Sequence, residues 1–372
     1  MIYGSPLISF IQYYLATQPF IGGGLNIYLN LHQYNKDFKN FFKKKGVKLM
    51  KALIIHHDDP DGRMGGYILY RFLLNQYPEV KTKEANYNTI FDFKELVEPE
   101  DKVFIVDFSL NNQYFTKLID IVPRENIVWI DHHKSAIESY TDQATLDGIR
   151  NISKSGCELA YIYTKGYREK SPGRMVNINS SNEVEFKLIE DIEIPRPIQL
   201  IGDYDVWRHN GEGIEYFFID GLDAYWDRAK LTTPEGLNFW KGIYENTDNV
   251  VDDIIDQGKI INRYKAATNA CDVEDKAFPC RLRKFENIEC IAINSCARSS
   301  TIFKSVHNDY EVGLVFNYIE IPERKMEFSI YRLGKNKDKD IDVSKIAQSF
   351  GGGGHHDASG FATNGTLPFV SK

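Results

Sequence analysis

The residues best able to do chemistry sit in His56-His57-Asp58-Asp59-Pro60-Asp61-Gly62, where five titratable side chains crowd into one short stretch. Carboxylates and imidazoles packed this densely are electrostatically costly unless cations neutralise them, and a mixed Asp/His set suits a divalent metal. A solvated acidic turn is the plain alternative for this stretch taken alone. Further along, Val106-Asp107, Asp131-His132-His133, and Asp203-Tyr204-Asp205 repeat the same residue types. No comparable thiolate set exists: Cys157, Cys271, Cys280, Cys290 and Cys296 form no Cys-x-x-Cys pair and no disulfide ladder. That usage fits a reduced, cytoplasmic compartment.

Positioning such groups together requires particular elements. Ala52-Leu53-Ile54-Ile55 is an apolar run that ends in the first cluster, and Val103 to Val106 and Ile127 to Ile130 are two more, ending in Asp107 and Asp131-His132-His133. Short continuous apolar runs mark strands covered on both faces. After the first run, Met64, Ile68 and Phe72, with Leu69 and Leu73, recur at helical spacing. Strands separated by helix-length segments predict a parallel sheet with right-handed crossovers. The three clusters then fall at the carboxyl ends of the strands, the edge of an open α/β sheet where ligands bind. Three such endings make a merely solvated turn a poor reading.

With 372 residues, 42% hydrophobic and 26% charged, the chain has room for two cores. A formal net charge of −7 argues against coating long nucleic acid duplexes through a broad basic face. It leaves room for a small phosphate-bearing substrate. Residues Met1 to Asn35 contain no Asp, Glu, Lys or Arg, and Leu7 to Leu31 is apolar, but Pro19, Gly22-Gly23-Gly24, Asn26 and Asn30 interrupt it. Those interruptions argue against a spanning helix, and no basic amino-terminal region marks a signal peptide. Residues 1–49 read as an extension of uncertain, non-native or mis-assigned origin. Lys44 to Leu49 could be encoded by a purine-rich ribosome-binding sequence, so translation is expected to begin at Met50.

The remaining chain predicts a helix around Cys157 to Tyr163, an irregular insertion or hairpin over Lys165 to Pro197, and a helix-like segment at Gln199 to Trp207. A charged helical connector follows, then strands at Ile288 to Ile293, Val312 to Tyr318 and Met326 to Tyr331, and a helix at Val343 to Phe350. The expected division is residues 50–225, 226–280 and 281–372. Gly351-Gly352-Gly353-Gly354-His355 closes the list of motifs; four glycines can present successive N–H groups to an anion, or simply form a loose loop.

In this order the motifs resemble the DHH phosphoesterases that carry a carboxy-terminal DHH-associated domain. His57-x-Asp59-x-Asp61-Gly62, Val106-Asp107-Phe108-Ser109, Asp131-His132-His133, Asp205 within Asp203 to Trp207, and the glycine-histidine run carry the likeness, over nearly all of Met50 to Phe361. It implies an α/β protein in which a parallel-sheet catalytic domain and a smaller α/β associated domain enclose an interdomain active site. It implies two divalent cations, Mn²⁺ foremost, with Mg²⁺ or Co²⁺ as substitutes. Position by position, His57 and Asp59 would bind one cation, Asp61, His132 and Asp205 the other, and Asp107 both. Asp203 is the alternative to Asp205. Asp131 would orient His132, and His133 would face the scissile phosphate. Ser329, Arg332, Gly352, Gly353, Gly354 and His355 would contact substrate. The strand before the glycine run departs from the pattern: Tyr331 stands where an arginine is expected, so either Arg332 has shifted register or Tyr331 stacks on a base. His56 and Asp58 are expected to face away.

Nearest in likeness is the oligoribonuclease (nanoRNase) branch, implying an exonuclease that releases nucleoside monophosphates from short single-stranded RNA. A cyclic-dinucleotide phosphodiesterase and a 3′-phosphoadenosine 5′-phosphate phosphatase are the enzyme alternatives, and a catalytically silent nucleotide-binding protein is the alternative of another class. An inorganic pyrophosphatase fits less well, because that branch lacks the glycine-histidine motif. Tyr204, Trp207, Arg298 and Tyr331 are further candidates for base or phosphate contact. RNA versus DNA, the polarity of attack, and whether the chain is a homodimer are left open.

Overall fold

Alternation within the apolar runs dictates the two faces of the first sheet. The structure is a computed structural model that describes residues 50–140, 142–171, 174–177, 186–208, 213–296, 299–320, 324–336 and 338–371. In it β1 (Ala52–His57), β2 (Val80–Ala85), β3 (Lys102–Val106), β4 (Ile127–Asp131) and β5 (Asp147–Arg150) form an all-parallel sheet in the order β2-β1-β3-β4-β5. Successive side chains point to opposite faces. Ile54, Phe104, Val106, Val128 and Ile130 therefore enter one core, and Leu53, Ile55, Val103, Ile105, Ile127 and Trp129 the other.

Helices cover both faces. The first core holds α1 (Pro60–Leu73), which begins well: Asp59 caps it through Gly62 N at 2.8 Å and Pro60 occupies its first turn. Phe93 of α2 (Phe93–Leu96), Phe115 and Leu118 of α3 (Asn112–Ile119), and Ala136 of α4 (Lys134–Ser139) fill the second core. The chain leaves β1 toward β2 on one side and β3 on the other, so the strand order reverses beside β1. Ligand crevices open at such a reversal.

Back in the first core lie α5 (Gly156–Thr164), α6 (Arg196–Asp205), α7 (Ile214–Asp223) and α8 (Pro234–Glu245). Between α5 and α6 the described residues form a small antiparallel sheet, β6 (Tyr167–Ser171), β7 (Arg174–Asn177) and β8 (Phe186–Leu188), where a loose insertion or hairpin is expected. Trp240 and Ile243 of α8, and Val251, Ile254 and Ile255 of α9 (Val250–Lys276), share one buried cluster with Ala52 and Ile54. The first core thus runs past residue 225. α9, 27 residues long, continues beyond it and places Val273 in a core of the second sheet.

That second sheet is mixed: β13 (Gly353–Gly354), β14 (Ala358–Thr363), β12 (Lys325–Arg332), β11 (Val312–Ile319), β10 (Phe285–Asn294), β9 (Phe278–Leu282) and β15 (Phe369–Ser371), in that order. Only β10 and β11 pair in parallel among these neighbours. α10 (Val343–Gln348) packs Val343, Ile346 and Ala347 on one face. Residues 1–49, including the apolar stretch and the segment before Met50, lie outside the described residues, as does Arg298. Among the described residues no helix is long and apolar enough to cross a membrane.

α7 and α9 approach so closely that a Cβ on Gly258 would lie 1.6 Å from the Phe217 carbonyl oxygen, and one on Gly221 2.1 Å from that of Ile254. Gly258→Ala is expected to force the helices apart and cost about 1–3 kcal/mol of stability, read as a lower urea midpoint; an unchanged midpoint would show the crossing to be compliant.

Candidate metal centre

Three local devices bring the acidic ends of β1, β3 and β4 together. At the end of β3, Asp107 takes a left-handed backbone conformation with φ of 51°, which Asp tolerates better than most residues, and its N–H donates to Ile130 O at 2.9 Å. At the start of α5, Gly156 N donates to Asp61 Oδ2 at 2.6 Å and Cys157 N to Asp61 Oδ1 at 2.9 Å. A helix N-terminus thereby holds a buried carboxylate. Gly156 also has to be glycine: a Cβ there would come 2.4 Å from Asp107 Cβ and 2.9 Å from Asp61 Oδ2.

Three donor groups share Asp107: it stands with His57 and Asp59 in the first, with Asp61 and His132 in the second, and with Asp131 and His133 in the third, each with its donor atoms within 4.8 Å of one another. His57 Nδ1 is 2.6 Å from Asp59 Oδ2 and 3.9 Å from Asp107 Oδ2. His132 Nε2 is 3.0 Å from Asp107 Oδ1, 3.2 Å from Asp205 Oδ2 and 3.7 Å from Asp61 Oδ2. Asp205 thus joins the second group. Asp203 instead accepts from Arg208 Nε at 2.9 Å.

Asp131 corrects an expectation. Its Oδ1 accepts from His132 N at 2.8 Å and lies 2.8 Å from His133 Nδ1, while Trp129 Nε1 donates to Oδ2 at 3.2 Å. The ring that Asp131 orients is therefore His133, not His132. The reason is geometric: His132 has swung Nε2 toward Asp107 and Asp205, and its Nδ1 is left buried without a hydrogen-bond partner. His56 turns away from the cluster, its Nδ1 lying 2.8 Å from the His57 carbonyl oxygen, whereas Asp58, expected to face away, accepts from Asn86 Nδ2 at 2.9 Å and keeps its Oδ1 3.8 Å from His57 Nε2.

Electrostatics separates these groups. Burial and the neighbouring Asp61, Asp59, Asp205 and Asp131 push Asp107 well above the carboxylate range. Burial, Asp61 and Asp59 do the same to Asp205. Burial and His133 lower His132 to about 4, the neutral form a metal requires. Burial alone would lower His57, but Asp59, Asp58 and Asp131 outweigh it and raise His57 to about 9. Oδ2 of Asp107 and Oδ2 of Asp205 also lack hydrogen-bond partners in this buried site. Orphaned acceptors, mutually repelling carboxylates and neutral imidazole fit oxygen-and-nitrogen coordination of divalent cations.

From the second sheet, only part of the predicted set arrives. The His355 ring stands 4.8 Å from that of His132 and 4.7 Å from that of His133, and their donor atoms form a further group. Burial, His133 and His132 hold His355 well below the usual imidazole range. Gly353 is in register with Gly360, and Gly360 with Ser329, across three strands. The glycine run is not an open row of donors. Gly351, with φ of 84°, and Gly352 close α10 by donating to Gln348 O and Ala347 O, both at 2.9 Å, and Gly354 N donates to Ser135 Oγ at 3.2 Å.

The β11–β12 register is continuous, so Arg332 lies on the face opposite Ser329 and Tyr331. There its guanidinium meets Asp357 Oδ1 at 3.3 Å and donates to Lys339 O at 3.3 Å, while Tyr331 is buried with Ile293 and Phe303. Neither the expected register shift nor an exposed stacking ring is found. Tyr204 is hydrogen bonded to Ser299, and Trp207 has a positive φ of 59°.

Several supports escaped sequence reading. Ser135 docks the glycine run onto α4. Arg208 joins Asp203 to buried Glu158, 2.9 Å from its Nη2, and Glu158 accepts from Ser155 N at 2.9 Å in a capping box at the start of α5. Ser155-x-x-Glu158 is a readable signal for that box; nothing in the sequence marks Ser135 or Arg208.

The segment that carries most of these groups resembles a known family. The family description "DHH family, N-terminal domain" matches residues 51–187. This segment is similar to a DHH domain. Over 365 residues the chain is 23% identical to the uncharacterized protein R106 of Acanthamoeba polyphaga mimivirus, covering 86% of this chain and 69% of that one. Among solved structures, RecJ from Thermus thermophilus in complex with Mn²⁺ is 12% identical with a TM-score of 0.42, covering 91% of this chain and 53% of that one. The pGpG-specific phosphodiesterase PggH from Vibrio cholerae is 11% identical with a TM-score of 0.40, covering 84% and 92%.

A raised carboxylate pKa means that the folded chain binds a proton more tightly than the unfolded chain, so stability falls as pH rises. For His57, the stabilisation is complete below its ordinary value of 6.5 and lost as pH rises through about 9. Both effects have one sign. In a chelator the melting temperature is expected to fall between pH 6.5 and pH 9, and saturating Mn²⁺ should restore it through preferential binding to the folded state. Differential scanning fluorimetry checks this; identical curves with EDTA and Mn²⁺ would count against a cation site.

Proposed function

We propose that this chain is a two-cation phosphoesterase that cleaves phosphodiester bonds in short single-stranded oligonucleotides, releasing nucleoside monophosphates in a reduced, cytoplasmic setting. One observation carries the reading: a single buried carboxylate, Asp107, is common to the His57–Asp59 and the Asp61–His132 donor groups and keeps an oxygen with no hydrogen-bond partner. In this reading His57 and Asp59 hold one cation, Asp61, His132 and Asp205 the other, and Asp107 both. Mn²⁺ suits the donors best, with Mg²⁺ or Co²⁺ able to replace it. Bound there, two cations supply a nucleophile at neutral pH and charge stabilisation for in-line displacement.

The chain's own groups do the rest. Asp131 accepts from Nδ1 of His133 and fixes its ring, and in the doubly protonated imidazolium Nε2 can donate to a phosphate oxygen. Across the cleft, His355 is held neutral by burial and its histidine neighbours and contributes one N–H to the same phosphate. Asp61 keeps its orientation through two helix N–H groups, so it does not need to reorganise during the reaction. Residues 50–225, with the helices that complete their core, supply the reacting groups, and residues 281–372 supply the substrate-facing side.

The test is a panel of di- to pentaribonucleotides, matched DNA, cyclic dinucleotides and 3′-phosphoadenosine 5′-phosphate with Mn²⁺. Short RNA is expected to be cleaved fastest. Asp107→Ala should lower the rate at least about a hundredfold, the scale on which even the outer partners of metal ligands act. His133→Ala should lower kcat while leaving Mn²⁺ binding intact, and His355→Ala should act mainly on KM. Faster turnover of a cyclic dinucleotide would reassign the substrate, and no turnover of any member would overturn the reading.

A further inference from the structure

The loop after β2 places an aromatic ring at the mouth of the cluster where packing does not account for it. Tyr87 is 64% exposed, yet its ring centroid lies 5.9 Å from that of His57 and 5.3 Å from that of buried Phe108. Its hydroxyl is hydrogen bonded to Ser109 and lies close enough to Asp131 and Asp107 for their charges, with burial of the oxygen, to raise its pKa. So the polar tip is anchored inward while most of the ring stays in water. Burying so little of its surface, the ring gains little from the hydrophobic effect.

The loop itself is held rigid. Asn86 Nδ2 donates to Asp58 at 2.9 Å, Asn86 N to Thr89 Oγ1 at 2.9 Å, and Asn88 N to Asn86 Oδ1 at 3.0 Å. Asn88 Oδ1 accepts from Lys325 Nζ of β12 at 2.6 Å, which ties the loop to the second sheet. Tyr87 is therefore a fixed platform on the rim of the cleft, beside the His57 group.

We propose that Tyr87 is the stacking platform for a nucleobase of the bound nucleotide, the base adjoining the phosphate held at the His57–Asp107 group. This rests on the phosphodiester reading above and adds a binding subsite to it. Every base presents a π-face, so stacking on one ring grips single-stranded substrates without selecting their sequence. A tyrosine anchored at its hydroxyl gives that grip at little cost in side-chain ordering.

The test uses a dinucleotide carrying 2-aminopurine, whose fluorescence falls on stacking, titrated with Ca²⁺ in place of Mn²⁺. The wild type should quench the probe. Tyr87→Ala should lose most of the quench and weaken binding about tenfold, the scale of one base–aromatic stack, while Tyr87→Trp retains both. With a dinucleotide that is abasic at the same position, wild type and Tyr87→Ala should bind alike. Equal quench and affinity in wild type and Tyr87→Ala, or no quench in the wild type, would overturn the platform. Hydrolysis is scored separately with Mn²⁺: quenching without turnover would remove the phosphodiesterase reading and leave the platform standing.

Discussion

Everything in the first unit is arranged around the repulsion between buried carboxylates at Asp107. Asp59, Asp61, Asp205 and Asp131 all raise or would raise the cost of its charge, and burial adds to it. Bringing ionised groups out of water is expensive unless they are paired or coordinated. Here the fold accepts the cost in a left-handed residue at a strand end, a conformation that surrounding structure must enforce. Val106 and Asp107 are locked by pairing with β4, and Gly156 leaves no room for the carboxylate to relax toward α5.

The carboxylates nearest to Asp107 are consequently kept in place by backbone rather than by mobile side chains. Asp61 is held by the first N–H groups of α5, and Asp59 by Gly62 N at the start of α1. Asp205 sits at the end of α6, whose position relative to α5 is fixed by Arg208 spanning Asp203 and Glu158. Breaking a partly buried network of this kind leaves uncompensated charge, which is why such residues stabilise a site without touching what it binds. Helix termini are suited to this task because their donors are fixed in direction and need no ordering at the moment of binding.

Much of this was legible in the sequence where one local pattern dominated. The runs ending in His57, Asp107 and Asp131 are apolar on both faces, and each is a central strand of the parallel sheet. Edge strands were not legible: β2 reads Val-Lys-Thr-Lys-Glu-Ala and β5 Asp-Gly-Ile-Arg, because an edge is kept polar and short. The continuity of α9 between two cores was missed for another reason. Its middle buries almost nothing, with Ile260 and Tyr264 largely exposed, so its stripe looks broken in the chain. The partner of Asp131 could not be read either. His132 and His133 are adjacent, and only the swing of His132 toward Asp205, some seventy positions away, decides which ring Asp131 reaches.

That swing also divides labour between two adjacent histidines of the same chemistry. His132 is fully buried, neutral through burial and the neighbouring His133, and aimed by Nε2 at three carboxylates. His133 is half-buried, tied to a carboxylate at Nδ1, and turned toward His355. A carboxylate partner at Nδ1 fixes the tautomer and the orientation of the ring. The glycine run completes the arrangement by its smallness as well as by the Gly354 N–H: Gly353 passes Ser135 where a Cβ would lie 3.0 Å from its Oγ, and Gly354 takes a φ of 141° and donates to that Oγ. Bulkier residues there would hold the second sheet off α4 and withdraw His355 from the pair. The contact between the two sheets is thus part of the site, because the His355 imidazole reaches His132 and His133 only when Ser135 and Gly354 meet.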